Sequence, residues 1–262
     1  MLRRFAALPV FTVALATAAV AQSPPAWFAV PDSLHDALNP TDELALLKEM
    51  LAAAPDDAQA LWRAARAQVD IAKQIKGDHE YTRAVRDSVY GVAREFAERA
   101  VAADSLEPEG HFVLALTLGE LSRTRGGNER VRFAGIIYDA AARALALDST
   151  HDGAHHVLGA WHAEVKRLSG LTRFFAKTLL GAGFMDRAAW DSATTHLERA
   201  VALDPTYLHH RLELADVYAD LKRWPDARAQ LEAIPDLPTR DVLDDDHRTA
   251  AVELLEQLRK RK

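Results

Sequence analysis

The run Ala193-Thr194-Thr195-His196-Leu197-Glu198-Arg199-Ala200-Val201-Ala202-Leu203-Asp204-Pro205 decides how the rest of the chain is read. Ala193, Leu197 and Ala200 recur at steps of four and three, which puts them on one face of a helix, and Pro205 stops that helix. Leu214, Ala215 and Tyr218 follow, then Trp224, Ala227 and Leu231. Small residues on such a face let two helices approach, and large ones at neighbouring turns fill the space between them. The stretch therefore spells a helical hairpin whose small-large phrase, begun at Ala193, returns at Ala227.

Working outward, the phrase repeats. Ala93, Ala97, Ala100 and Ser105 precede Leu114, Ala115 and Leu118; Ile137, Ala141, Ala144 and Ser149 precede Leu158, Gly159 and His162; Leu47, Met50 and Pro55 precede Leu61, Ala64 and Ala65. A recurring phrase of this kind is the mark of a repeat architecture, and the spacing from Ala193 to Ala227, about 34 residues, is that of a tetratricopeptide (TPR) unit. The closers Pro55, Ser105, Ser149 and Pro205 are each separated by more than one such unit, most of all between Ser149 and Pro205, so these hairpins are lengthened. The excess falls between the two helices of each hairpin. Asp104, Asp148 and Asp204 are placed to cap the following helix. No stretch alternates as a strand does. The predicted fold is all-α, a TPR-like superhelix (solenoid) with lengthened hairpins, of about nine to ten helices.

Composition agrees. Of 262 residues, 49% are hydrophobic and only 7% aromatic, so the core is built from Ala, Leu and Val, as closely packed helices require. A net charge of -6 argues against nucleic acid as partner. At the N-terminus, Arg3 and Arg4 precede an apolar run from Phe5 to Val20 that ends in small residues, the pattern of an export signal cleaved after Ala21. Removing residues 1–21 leaves 30 basic against 38 acidic residues, a net charge of -8. With no Cys there is neither a lipid-anchoring cysteine nor a disulfide framework. Pro24, Pro25, Pro31 and Pro40 make residues 22–40 a poor helix former, read as a leader, with the repeat domain spanning 41–262. A soluble periplasmic or secreted protein is expected.

The segment His155-His156-Val157-Leu158-Gly159-Ala160-Trp161, the stretch through Phe174, Phe175, Leu179, Leu180 and Gly181, Ala193 to Pro205, and residues 211–258 resemble the regulator of microtubule dynamics proteins. The likeness runs from about Asp42 onward. It implies a curved, TPR-like helical array that acts by binding, with phospholipid as a ligand proposed for eukaryotic relatives. An export signal would place this chain where no microtubule exists.

The residues offer little reactive chemistry. There is no GxSxG, no phosphate-cradling glycine loop and no Cys nucleophile, and no cofactor is called for. His151, His155 and His162 lie near one helix face, yet His155 and His162 hold repeat positions that suit packing, His151 sits at or before the helix start, no HExxH accompanies them, and adjacent His209 and His210 diverge by about 100°. Asp244, Asp245 and Asp246 suit the positive end of a final helix, and Arg259 to Lys262 its negative end.

The insertions carry the candidate sites. Arg123, Arg125, Arg130 and Arg132 surround Gly126-Gly127 with only Glu129 among them, and such forked donors match phosphate or carboxylate. After Trp161, Leu168, Leu171, Phe175 and Leu179 recur at helical steps with Lys166, Arg173 and Lys177 on another face, a basic amphipathic helix bent at Ser169-Gly170. Its stripe is expected to pack on the neighbouring hairpin; the other reading makes Lys166, Leu171, Arg173, Phe174, Phe175 and Lys177 the lip of a groove for an acyl chain or partner helix. Two functions follow: a non-enzymatic scaffold holding a protein or peptide on its concave face, or a carrier of phospholipid or another amphipathic anion.

Overall fold

The computed structural model describes residues 26–261, and among these all regular structure is helical. The export signal predicted over residues 1–21, together with Pro24 and Pro25, lies outside the described residues. Twelve α-helices follow in order: α1 Ala29–Asp36, α2 Pro40–Ala53, α3 Ala58–Gln74, α4 Glu80–Ala103, α5 Pro108–Ser122, α6 Gly127–Leu147, α7 Asp152–Arg167, α8 Gly170–Leu180, α9 Trp190–Leu203, α10 Leu208–Asp220, α11 Trp224–Glu232 and α12 Asp244–Leu258. Short 3₁₀ turns span Ala26–Phe28 and Gly183–Arg187.

The helices pair as antiparallel hairpins, α3 with α4, α5 with α6, α7 with α9 and α10 with α11. The phrase residues are the ones that disappear from solvent: Ala93, Ala97 and Ala100, Ala141 and Ala144, and Ala193, Leu197 and Ala200 are all buried. The first helix of each hairpin touches the first helix of the next, α3 with α5, α5 with α7 and α7 with α10, whereas the second helices make no comparable contact with one another. An array that is closer along one set of helices than the other must curve, with the first helices inside.

Four turns join the hairpins in the same way. The amide of the fourth residue donates to the carbonyl of the first in Ala54–Asp57, Asp104–Glu107, Asp148–His151 and Asp204–Tyr207. Here the capping expectation needs correction. Asp104, Asp148 and Asp204 end the preceding helices, and their carboxylates accept from the amides of Leu106, Thr150 and Thr206 two residues on, tightening the turn. The caps stand later in the turn, where Asp57 and His151 precede α3 and α7 and accept from Ala60 and Ala154.

The leader reading is also corrected from Phe28 onward. Pro31 falls in the first turn of α1 and Pro40 opens α2, positions whose amides have no intrahelical acceptor, so neither proline interrupts a helix. Phe28 is buried under the Arg63 guanidinium, 4.3 Å from its ring centroid, and Asp32 accepts from the same guanidinium at 2.7 Å. That α1 belongs to the fold, and that α7 and α8 are separate helices, raises the count to twelve.

The Gly159 of the HHxLGxW phrase has a steric reason. A Cβ there would lie 2.5 Å from Leu197 Cγ and 3.1 Å from the Ala193 carbonyl, so glycine sets how closely α7 crosses α9. Trp161, two residues on, is buried and donates from Nε1 to the Ala134 carbonyl of α6 at 2.7 Å. The phrase therefore ties one helix to both its neighbours.

Candidate functional site: the inner face of the array

Because the first helices line the inner face, residues from α3, α5, α7 and α10 meet in one space. His156 of α7 lies against the rings of His209 and His210 of α10, and Lys73 of α3 reaches Asp241 in the connection before α12. Between the end of α3, the start of α4 and the end of α5 the face opens into a cleft of about 560 Å³. Arg83, Arg86, Arg123, Tyr90 and Glu120 line it, and Leu243, which directly precedes α12, forms part of its rim.

Leu243 reaches this place because the segment between α11 and α12 crosses to α3. The Lys73 side chain is 9% exposed and donates to Asp70 at 3.2 Å and to Asp241 at 3.0 Å, and the Tyr207 hydroxyl donates to the same Asp241 oxygen at 2.8 Å. Burial works against the Lys73 charge, but Asp70 and Asp241 hold its ammonium well above the ordinary range. Burial likewise pushes the Asp241 carboxyl up, and Lys73 with the Leu243 amide outweighs it, leaving it at about 2. Lys76 pairs with Asp246 beside them. Asp244, almost wholly buried, accepts from the amides of Arg240 and Asp241 at 2.7 and 3.0 Å, which fixes the crossing segment at the start of α12. The C-terminal end of the array is thus bound to its α3–α4 hairpin.

The cleft's charge is unequal. Glu120 accepts from the Tyr90 hydroxyl at 3.4 Å and lies 4.0 Å from Arg123, and Asp87 is held by Arg125 at 2.8 Å. Arg86 donates to the Ile75 carbonyl at 3.1 Å, and among the described residues neither Arg83 nor Arg86 has a carboxylate within ion-pair distance. The cleft therefore presents an excess of guanidinium groups. At the far end of the inner face the sign reverses: Glu213, Asp216 and Asp220 follow one another along α10, facing Arg167, and burial raises the carboxyls of Glu213 and Asp216. Arg167, Asp216 and Asp220 line a second cleft of about 420 Å³ there with Trp224 and Leu258.

Of the four arginines singled out from sequence, the structure brings only Arg123 to the cleft. Arg125 is paired with Asp87, Arg132 lies 3.8 Å from Glu129 and beside the Phe133 ring, and Arg130 is exposed on the first turn of α6. Arg83 and Arg86, which do line the cleft, escape a sequence reading because they sit a whole hairpin before Arg123, in an unremarkable helix start. The available signal was position: all three stand at hairpin tips, and stacked hairpins bring tips together.

The second candidate set behaves otherwise. Leu168 packs on the core as predicted, and the chain breaks after it, with Ser169 capping α8 by accepting from the Thr172 amide at 3.1 Å. Beyond the break the expected packing fails: Leu171, Phe174, Phe175 and Leu179 are exposed, and Ala176 is the buried residue of α8. Arg173 donates to the carbonyls of Val165 and Lys166 at 3.3 Å, closing the end of α7, and Lys177 donates to Asp186 at 2.6 Å.

The histidines form a packed ladder. His155 and His196 approach at 2.9 Å between Nδ1 atoms, His156 and His210 at 3.1 Å, and His210 Nε2 is 2.9 Å from Asp152. Both His209 and His210 lie against the His156 ring despite diverging on α10, and His209 stacks on His247 of α12. Burial lowers His156, His196 and His209 as bases, and each is lowered further by neighbouring imidazoles, His196 to about 4. Among the described residues no three His, Asp or Glu side chains are arranged to hold a metal ion.

Comparison with known proteins agrees with this architecture. A sequence profile described as Regulator of microtubule dynamics protein 1-3 matches residues 28–259. Regulator of microtubule dynamics protein 1 of Bos taurus is 28% identical over 201 residues, 76% of this chain and 62% of that protein, so the chain spans about three fifths of that relative's length. Among solved structures, a thermophilic TPR protein of Thermus thermophilus, TTC0263, superposes with a TM-score of 0.60 at 22% identity, covering 87% of this chain and 96% of that one.

Proposed function

Since this chain belongs to the regulator of microtubule dynamics family and folds as a TPR-like array, we propose that it is a non-enzymatic scaffold holding a protein or peptide partner on its inner face. The observation that carries this reading is the cleft between α3, α4 and α5, where Arg83, Arg86 and Arg123 outnumber their carboxylate partners beside Tyr90 and Leu243. Forked donors next to an apolar rim suit an extended acidic peptide with an apolar side chain between its carboxylates. The terminal signal, as read from sequence, supports action in an exported compartment. The same cations also suit the headgroup of an amphipathic anion, the second reading from sequence, which in this geometry would use Arg123 with Arg83 and Arg86 rather than Arg125, Arg130 and Arg132.

Selection of a displayed random peptide library on the immobilised protein tests the proposal. Acidic peptides should be enriched, their binding should weaken as salt rises, and Arg83→Glu with Arg123→Glu should abolish it. No enrichment, or enrichment indifferent to the double variant, overturns it. Mass spectrometry of the purified chain separates the two readings, since a carrier brings an acyl lipid with it and a scaffold does not.

A further inference from the structure

The connection between α11 and α12 has the composition of the ligand proposed for the inner face. From Pro238 to Asp246 it reads Pro-Thr-Arg-Asp-Val-Leu-Asp-Asp-Asp, four carboxylates against one guanidinium, with Val242 and Leu243 between the first acid and the rest. It also lies where that ligand would. Asp241 accepts from Lys73 at 3.0 Å and Asp246 pairs with Lys76, so the two lysines at and just beyond the end of α3 are both occupied from within the chain. Lys73 and Leu243 line the same cleft as Arg83, Arg86 and Arg123.

The fastening of this segment lets it leave. Ile234 and Leu237 before it, and Ala251, Leu254 and Leu258 after it, pack in the C-terminal core with residues of α10 and α11, which anchors both its ends by apolar burial. The stretch between is tied by polar contacts: Asp241 to Lys73 and the Tyr207 hydroxyl, Asp246 to Lys76, and Arg240 to Asp204 and Thr206. A ligand's carboxylates can form the same pairs with the two lysines, so its binding restores what opening removes. Asp70, on α3 and 3.2 Å from Lys73, stays with it, and opening therefore leaves no lone ammonium. We propose that residues 238–246 are an internal competitor for the acidic partner of the inner face, covering Lys73 and Lys76 in the free chain and giving up both when the partner binds. The inference rests on the inner-face reading and adds that the free chain is held partly closed, which lowers its apparent affinity by the closed fraction.

The test is fluorescence anisotropy with a labelled synthetic peptide of residues 238–246, titrated with the full chain and two variants at one ionic strength. Asp241→Asn with Asp246→Asn frees both lysines and should tighten binding about tenfold. Asp236→Asn with Asp245→Asn removes the same charge from exposed positions that touch neither lysine, and should stay within about twofold of the wild type. Because the chain has no Cys, spin labels on Asp78→Cys and Asp245→Cys report the closure directly, and their separation should lengthen as the peptide saturates. The labelled chain keeps Asp241 and Asp246, so it decides the matter even if the first variant unfolds. Equal gains in the two variants, no gain in the first, or a separation unchanged at saturation overturns the competitor and leaves the inner-face reading standing. No binding of this peptide to any chain also overturns the competitor; the inner-face reading falls with it only if the displayed library yields no acidic peptide either.

Discussion

The tip of the α5–α6 hairpin and the α8 insertion are both places where the chain exceeds the ordinary TPR length, and they use the extra residues in opposite ways. At the first, the two helices run on past the unit, α6 to 21 residues, so the added turns keep the helix register and continue to bury the same faces: Phe133 and Leu121 are buried there. Three arginines at that tip, Arg123, Arg125 and Arg132, meet Glu120, Asp87 and Glu129 respectively. At the second, the chain breaks after Leu168 and Ser169 caps the next helix, and a helix begun afresh inherits no register from α7. Its orientation is set by where Ala176 can seat, and the large side chains face out. Length added in register extends a core, whereas length added after a break makes an appendage.

The largest expected effect compares the same residue type in both regions. Phe133→Ala should cost about 3–5 kcal/mol in urea-monitored unfolding, because it empties a fully buried site. Phe174→Ala should stay within about 0.5 kcal/mol. Equal losses would break the contrast. Next, the root of the appendage should be rigid: Gly159→Ala forces a methyl to within 2.5 Å of Leu197 Cγ and should cost about 1–3 kcal/mol by the same measurement.

A third expectation concerns acid. His196, on α9 at that root, is held neutral down to about 4 when folded, against 6.5 for an ordinary imidazole. Between those values the unfolded chain takes up a proton that the folded one refuses, so stability present above pH 6.5 declines as pH falls toward 4. Melting temperatures measured across that window should show the slope, and His196→Asn should flatten it; an unchanged slope would place the acid sensitivity elsewhere in the ladder. The smallest effect is expected at the α5–α6 tip, where Arg125→Ala removes a part-exposed pair with Asp87 and should cost no more than about 1 kcal/mol, measured by thermal unfolding.

Much of the architecture was legible in the sequence, and particular residues show why. Ala193, Leu197 and Ala200 disclose their face because burial in a hairpin imposes small and large side chains at helical spacing, and that spacing is local. The prolines mislead when read by residue type: Pro31 and Pro40 lie where a helix has no use for their amides, and only the helix boundary reveals that. The same holds for Asp104, Asp148 and Asp204, which close turns rather than open helices. The site was less legible. Arg123 was within reach as one of a cluster, while Arg83 and Arg86 join it only through the stacking of one hairpin on the next.

What the sequence determined alone was therefore the helices, their pairing and the recurring turn, since helical periodicity, capping and proline act over a few residues and leave their imprint there. The tertiary structure decided which distant groups share a space. Lys73 finds Asp241 168 positions away because the array curves enough to bring its last connection back to α3. The apolar side of α8 faces solvent because a two-sided helix carries no record of which side has a neighbour: that depends on the surface beside it, and there the available seat on the core admits Ala176 and not the phenylalanines.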